Sequence, residues 1–114
     1  MEEATRQRGT RAEELATAYL EARGFVVLER NYYARKLGEI DIIAQKMGIV
    51  HFIEVKSSYK GGFDPVYNIT PAKLRRIVNS AHYYLKAKTL DVPFCIDALI
   101  VRDGKIEHLE NITL

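Results

Sequence analysis

A chain of 114 residues with a single cysteine has the size of one domain, residues 1–114, with no room for a second core and no internal disulfide. Its composition, 47% hydrophobic and 28% charged with a net charge of +2, is ordinary for a globular protein, and at this length folding buries roughly two-thirds of the unfolded chain's surface without any cross-link. The first residues hold no apolar signal core and no later stretch is apolar for long enough to span a bilayer, so the expectation is a cytoplasmic protein with no membrane contact.

The first predicted element is a helix over residues 11–23. Thr10 and Glu13 have the spacing of a capping box, and Ala12, Leu15, Ala16, Tyr19 and Leu20 form one apolar stripe. Gly24 supplies a stop, and Phe25-Val26-Val27-Leu28 opens a strand running to Tyr33. Glu39–Lys46 and Ile49–Ser57, rich in Ile, Val and Phe on either side of Met47-Gly48, predict a β-hairpin. A polar loop, Tyr59-Lys60-Gly61-Gly62, follows. Thr70-Pro71 then offers an N-cap and a first-position proline to a second helix, which runs to Lys88 and buries Leu74, Ile77, Val78, Ala81 and Leu85. Phe94–Val101 is a continuous apolar run, the mark of a strand covered on both faces, and Cys95 within it reads as a buried, unreactive thiol. Asp103-Gly104 turns the chain into a last strand near Ile106–Leu109. The predicted fold class is α/β, a mixed β-sheet flanked by helices in the order α-β-β-β-α-β-β.

Register makes the hairpin informative. With Met47-Gly48 as a two-residue turn, Lys46 faces Ile49, Ile43 faces Phe52, Asp41 faces Glu54 and Glu39 faces Lys56, all but the first of these on one face of the pleat. The other face pairs Ile42 with Ile53 and Ile40 with Val55, and reads as core. Opposed residues hold their Cβ atoms about 4.5–5.5 Å apart, so Asp41 and Glu54 repel until one is protonated or a cation binds. Two oxygen ligands with space for water and a phosphate oxygen is a usual manner of holding Mg2+. Lys56, one pleat from Glu54, places a positive charge beside the phosphate or the attacking water. The alternative is an exposed face with a Glu39–Lys56 ion pair; against it stands the position of Glu54 inside the apolar run Phe52-Ile53-Glu54-Val55. Glu13 either closes the capping box with Thr10 or looks along the sheet toward the hairpin as a third acid.

Gly38-Glu39-Ile40-Asp41, followed after twelve residues by Glu54-Val55-Lys56, resembles the acid…acid-x-lysine core of the PD-(D/E)XK nuclease superfamily. Over nearly the whole chain the sequence is similar to the YraN family of small bacterial proteins. The similarity runs through Ala12-Glu13-Glu14-Leu15-Ala16, Glu29-Arg30-Asn31-Tyr32, Gly38-Glu39-Ile40-Asp41-Ile42-Ile43-Ala44, Phe52-Ile53-Glu54-Val55-Lys56 and the helix start Pro71-Ala72-Lys73. That family is distantly similar to archaeal Holliday junction resolvases. The resemblance implies a restriction-endonuclease-like fold in which Asp41, Glu54 and the backbone carbonyl of Val55 ligate Mg2+, with Mn2+ as substitute. By it, Lys56 positions or activates the nucleophilic water, and Glu13 matches a helix-borne acid that assists the metal. The implied activity is metal-dependent endonucleolytic hydrolysis of DNA, branched or otherwise structured, and a homodimer would supply the two cuts a four-way junction needs. The loop Ser57-Ser58-Tyr59-Lys60-Gly61-Gly62-Phe63 does not match the pattern. Asp97 resembles an aspartate common in this strand of the family and reads as a structural acid.

Charge is unevenly spread: residues 65–90 carry five bases and no acid, residues 91–114 five acids and two bases. On the second helix Lys73, Arg76 and Ser80 share a polar ridge with Arg75 beside it, a surface suited to holding phosphates without reading bases. Lys60, Arg35 and Lys36, on loops flanking the hairpin, extend it. His51, His82 and His108 share no metal-ligand spacing, and His51, on the core side opposite Ala44, reads as structural. Tyr32, Tyr33, Tyr83 and Tyr84 read as packing residues. Two rival readings remain: a nucleic-acid-binding module of the same fold without turnover, and a scaffold domain, which predicts no steep salt dependence of DNA binding.

Overall fold

The computed structural model describes residues 2–58 and 69–112, and its elements follow the predicted order. They are α1 (Glu2–Ala22), β1 (Val26–Tyr33), a 3-10 turn (Arg35–Leu37), β2 (Glu39–Lys46), β3 (Ile49–Ser58), α2 (Pro71–Ala87), β4 (Phe94–Arg102) and β5 (Lys105–Leu109). The strands form one mixed sheet, β1-β2-β3-β4-β5, in which only β3 and β4 run parallel. A parallel step needs a long crossover, and α2 lies in it. On one face Ala12, Ala16 and Leu20 of α1 pack on Ile42, Ala44, Ile53 and Leu99. On the other, Ile77, Ala81 and Tyr84 of α2 pack on Ile43, Val50, Phe52 and Ile96. Covered on both sides, β4 is buried at every position from Ile96 to Val101, as its apolar run predicts. Among the described residues no helix is long and apolar enough to cross a membrane.

Two expectations are corrected. The first helix starts at Glu2 rather than residue 11. The residues before Arg11 are mostly Glu, Ala, Arg and Gln, good helix formers that carry the helix through Thr10. Thr10 therefore lies inside the helix rather than at the N-cap position that a capping box with Glu13 requires. The second correction concerns Ile40. Met47 and Gly48 take φ values of 53° and 78°, as a type I′ turn requires, and the register from Lys46–Ile49 to Ile42–Ile53 is the predicted one. Beyond Ile42 the pattern breaks. Ile42 lies in the core under α1, whereas Ile40 lies in the core under α2. The partner strand shows the cause: Asn31 sits at φ 52° between Arg30, which pairs with Ile42, and Tyr32, which pairs with Ile40. A left-handed residue rotates the strand, and β2, bonded to it, changes face with it at Asp41.

Candidate active site

The acids gather where the hairpin strands part, after Ile42 and Ile53. Continuing the ladder, the next hydrogen-bonded pair would be Ile40 with Val55. Instead the Val55 N–H donates to Oδ2 of Asp41 at 2.8 Å. The Asp41 carboxyl is pushed up from the ordinary carboxylate range to about 7, first by burial and then by the charge of Glu54. The Val55 N–H opposes the rise, and Glu13 and Glu39 add to it.

Glu54 is 8% exposed and alternates with Ile53 and Val55, whose side chains pack under α1, so it points toward α2. There Nζ of Lys73 lies 2.9 Å and Nζ of Lys56 3.4 Å from its Oε1. Lys73 stands in the first turn of α2, whose start is fixed by Pro71 and by Thr70, its side chain accepting the Lys73 N–H at 3.1 Å. The two lysines differ in their environment. Burial and then the Lys73 ammonium push Lys56 below its ordinary value, with Glu54 opposing. Burial acts the same way on Lys73, but its hydrogen bonds to Lys56 and Glu54 hold it above the ordinary value.

Glu13 reaches the group from α1. Burial raises its carboxyl, a hydrogen bond from Asn31 and the charge of Arg30 lower it, and Glu39 and Glu54 raise it again. The strand kink thus serves the site twice, turning Asp41 toward Val55 and presenting Asn31 to Glu13. A cleft of about 390 Å³ opens here, with Gly38, Glu39, Asp41, Glu54, Lys73 and Arg76 among its walls. Gly38 has φ 135°, a conformation that side-chain-bearing residues rarely adopt. A second, shallower cleft of about 830 Å³ shares Leu37 with the first and is walled by Tyr32, Tyr33, Arg35, Lys36 and Tyr83. Arg35 Nε donates to the Tyr83 hydroxyl across it at 3.1 Å.

The structure therefore brings together Glu13, Asp41, Glu54, Lys56 and the backbone of Val55. Lys73, Arg76 and Ser80, expected on one ridge, line the same cleft, where Lys73 reaches the acid cluster. Ser80 is buried, its hydroxyl donating to the Arg76 carbonyl at 2.8 Å. Arg76 stands at the cleft, Arg75 is exposed and lines neither cleft, and Lys60 lies outside the described residues.

A family model described as "Uncharacterised protein family UPF0102" matches residues 12–101. The chain belongs to this family. It is the same group as the YraN family that the motifs resemble. The chain is 63% identical over 106 residues to a UPF0102 protein of Sulfurovum sp., covering 93% of each. It is 54% identical over 110 residues to one of Wolinella succinogenes, covering 96% of this chain and 99% of that one. A relative from Helicobacter hepaticus is 48% identical over 110 residues, 96% of this chain and 97% of its own. All the acids and lysines of the cleft fall within the UPF0102 match.

A second polar cluster lies on the opposite face of the sheet, and sequence reasoning missed it. Asp97 Oδ2 is 2.6 Å from Nδ1 of His51 and 2.7 Å from Nε2 of His108, and its Oδ1 accepts the Asn111 N–H at 3.0 Å. Burial raises the Asp97 carboxyl, but the bonds from His108, His51 and Asn111 outweigh it and hold the group well below the usual range. The histidines share no metal-ligand spacing along the sequence, yet the sheet brings His51 and His108 together around Asp97. Cys95 beside them is half-buried, and burial followed by the Asp97 charge pushes its thiol up to about 12.

Proposed function

We propose that this UPF0102 chain is a divalent-metal-dependent phosphodiesterase that cuts DNA endonucleolytically. The reading is carried by one observation: Asp41, Glu54 and Lys73 line one cleft, with Lys56 3.4 Å from Glu54 and the charge of Glu13 acting on Asp41. The donor set of Asp41, Glu54 and the Val55 carbonyl is all oxygen, which fits Mg2+ or Mn2+, and a bound cation would offset both the burial and the Glu54 charge that lift Asp41. Such an ion, when bound, lowers the pKa of a water and offsets negative charge on the phosphate in the transition state.

The chain's own groups divide the remaining work. Lys56, with its ammonium destabilised, is suited to orient the attacking water and to pass a proton at Nζ. Lys73, held protonated 2.9 Å from Glu54, offers its positive charge to the phosphate. Two like groups pushed apart in this way commonly mark different roles in proton transfer. Arg76 at the cleft, Arg35 and Lys36 in the adjoining one, and Arg75 and Lys60 nearby in sequence are assigned to neighbouring phosphates. The preference for branched or structured DNA, and the homodimer that would cut it symmetrically, rest on the resemblance.

Calorimetric titration with Mn2+ tests the reading first, comparing wild type with Glu54→Gln and Asp41→Asn. Saturable binding should vanish in both, and Lys56→Met should bind metal yet cleave about 10²–10⁴-fold more slowly in a panel of duplex, forked and four-way substrates. Binding indifferent to both carboxylate changes, with DNA present as well as absent, would remove the enzyme reading.

One observation favours a second reading, a nucleic-acid-binding module without turnover. Lys73 already sits 2.9 Å from Glu54 and supplies the carboxylate with a positive charge. That module would keep its salt-dependent DNA affinity in chelator and on Glu54→Gln.

A further inference from the structure

Under α1, on the face away from the acid cleft, four side chains with metal-binding atoms come from three adjacent strands. The registers bring them there. His51 of β3 lies across from Cys95 of β4 in the parallel pair, Asp97 shares the face of Cys95 two residues on, and His108 of β5 is opposite Leu99, diagonal to Asp97. The candidate ligand atoms of His51, Asp97 and His108 all lie within 4.8 Å of one another. Cys95 Sγ joins them, 3.1 Å from His51 Nδ1 and 3.2 Å from Asp97 Oδ1. The Phe25 ring closes the cluster on one side, 5.0 Å from the His51 ring and 5.7 Å from that of His108.

Hydrogen bonds do not account for every approach. Nδ1 of His51 carries one proton or one lone pair in the ring plane, yet Asp97 Oδ2 and Cys95 Sγ both crowd it. If the thiol proton goes to Asp97 Oδ1 and the His51 proton to Oδ2, the contact between sulfur and Nδ1 has no proton of its own. Tetrahedral ligands at about 2.0–2.3 Å from an ion stand roughly 3.3–3.8 Å apart, so donor atoms clustered this closely need to spread by only about an ångström or less to surround one. Beyond the shell, Glu110 Oε1 lies 3.9 Å from His108 Nδ1, the nitrogen that would not ligate. A carboxylate in that direction is the usual outer partner of a metal-bound imidazole.

We propose that His51 Nδ1, Cys95 Sγ, the Asp97 carboxylate and His108 Nε2 form a structural Zn2+ site distinct from the acid cleft. Two imidazoles and a sulfur select Zn2+ over Mg2+, and four protein ligands leave no open position for catalysis. On binding, the thiol proton is released to solvent, and each imidazole ligates as the tautomer protonated on its other nitrogen. Thiolate and carboxylate together neutralise the ion. The metal staples β3, β4 and β5 to one another, and its carboxylate ligand also holds the chain after β5 through the Asn111 N–H. The inference does not depend on the nuclease reading.

The test is metal analysis of tag-free, as-purified full chain by mass spectrometry, followed by Co2+ titration of the apo form. Stoichiometric zinc is expected, and cobalt should give strong tetrahedral ligand-field bands with a sulfur-to-cobalt charge-transfer band. Cys95→Ser should lose the charge-transfer band, His108→Gln should weaken the ligand-field bands, and Asp41→Asn should keep both. Added Zn2+ should raise the Tm of apo wild type but not of Cys95→Ser. Wild type that is folded yet gives no charge-transfer band, or a cobalt spectrum unchanged in Cys95→Ser, overturns the proposal and leaves a hydrogen-bonded knot. The wild-type measurement stands even if a variant fails to fold.

Discussion

Asp41 and Asp97 are both withdrawn from water, and burial acts on both carboxyls in the same direction. They nevertheless end on opposite sides of the ordinary value, Asp41 at about 7 and Asp97 well below the usual range. The difference is in the partners. Asp97 accepts from two imidazoles and a backbone N–H, whereas Asp41 has the Val55 N–H against the charges of Glu54, Glu13 and Glu39. Depth alone therefore says little about what a buried acid does. The face under α1 holds a carboxylate gathered with two imidazoles, nitrogen donors that suit a borderline-soft ion as well as a hydrogen-bonded knot. The face under α2 holds one opposed by like charges, which a hard cation with oxygen ligands relieves.

The largest expected effect comes from removing the satisfied partner. Asp97→Ala leaves two imidazoles and an N–H without their acceptor and should cost about 3–5 kcal/mol in urea unfolding. A loss below about 1 kcal/mol would mean that the knot contributes no more than an exposed ion pair, and the contrast between the two faces would fail.

Asp41→Asn should act in the opposite sense. A group whose folded pKa lies above its unfolded value contributes stability at low pH and loses it as pH rises through the folded pKa, here about 7. Replacing Asp41 by a neutral side chain should thus stabilise the metal-free protein by roughly 1–3 kcal/mol at pH 8, after discounting for partial exposure. The gain should shrink as pH falls toward the ordinary value of 3.8, and urea melts in chelator across that range give the curve. A destabilised variant at pH 8 would show that Asp41 is not frustrated.

The same proton sharpens the comparison through metal affinity. A cation must displace it, so Mn2+ affinity should fall about tenfold for each pH unit below the Asp41 value. Calorimetry at pH 8, 7 and 6 would read the slope as roughly flat and then steep. A flat profile throughout would place the metal elsewhere. Smallest is Thr70→Ala, which removes the cap that fixes the first turn of α2 and should cost about 1 kcal/mol. Because that turn carries Lys73, the variant should also weaken DNA binding more at low salt than at high salt.

The order of the elements was legible because each is bounded by a local signal, and the approach of Asp41 to Glu54 was legible in part because Met47-Gly48 sets the β2–β3 register as far as Ile42–Ile53. The change of face at Asp41 was not. Its cause is one left-handed residue in β1, and Asn31 carries no sign in the sequence beyond the tolerance of asparagine for that conformation. Nor was the contact of Lys73 with Glu54, which depends on where α2 docks across the sheet rather than on any pattern within it. The second cluster was legible in part. The Asp103-Gly104 turn sets β4 against β5 and already puts His108 on the side of Asp97. His51 was out of reach, because no turn fixes the offset between two parallel strands.

That missing turn has a kinetic consequence. The hairpins β2–β3 and β4–β5 each close over two residues, but the bonds joining them cross long separations, 46 residues for His51 with Asp97. Closing so large a loop is entropically unfavourable until α2 has docked, so the parallel seam should zip last. In a chevron experiment, changes at the Met47-Gly48 turn should slow refolding, whereas Asp97→Ala should leave the refolding arm nearly unmoved and steeply hasten unfolding. The seam would then act as the latch of the molecule: closed late in assembly, and the part whose loss lets the native state come apart.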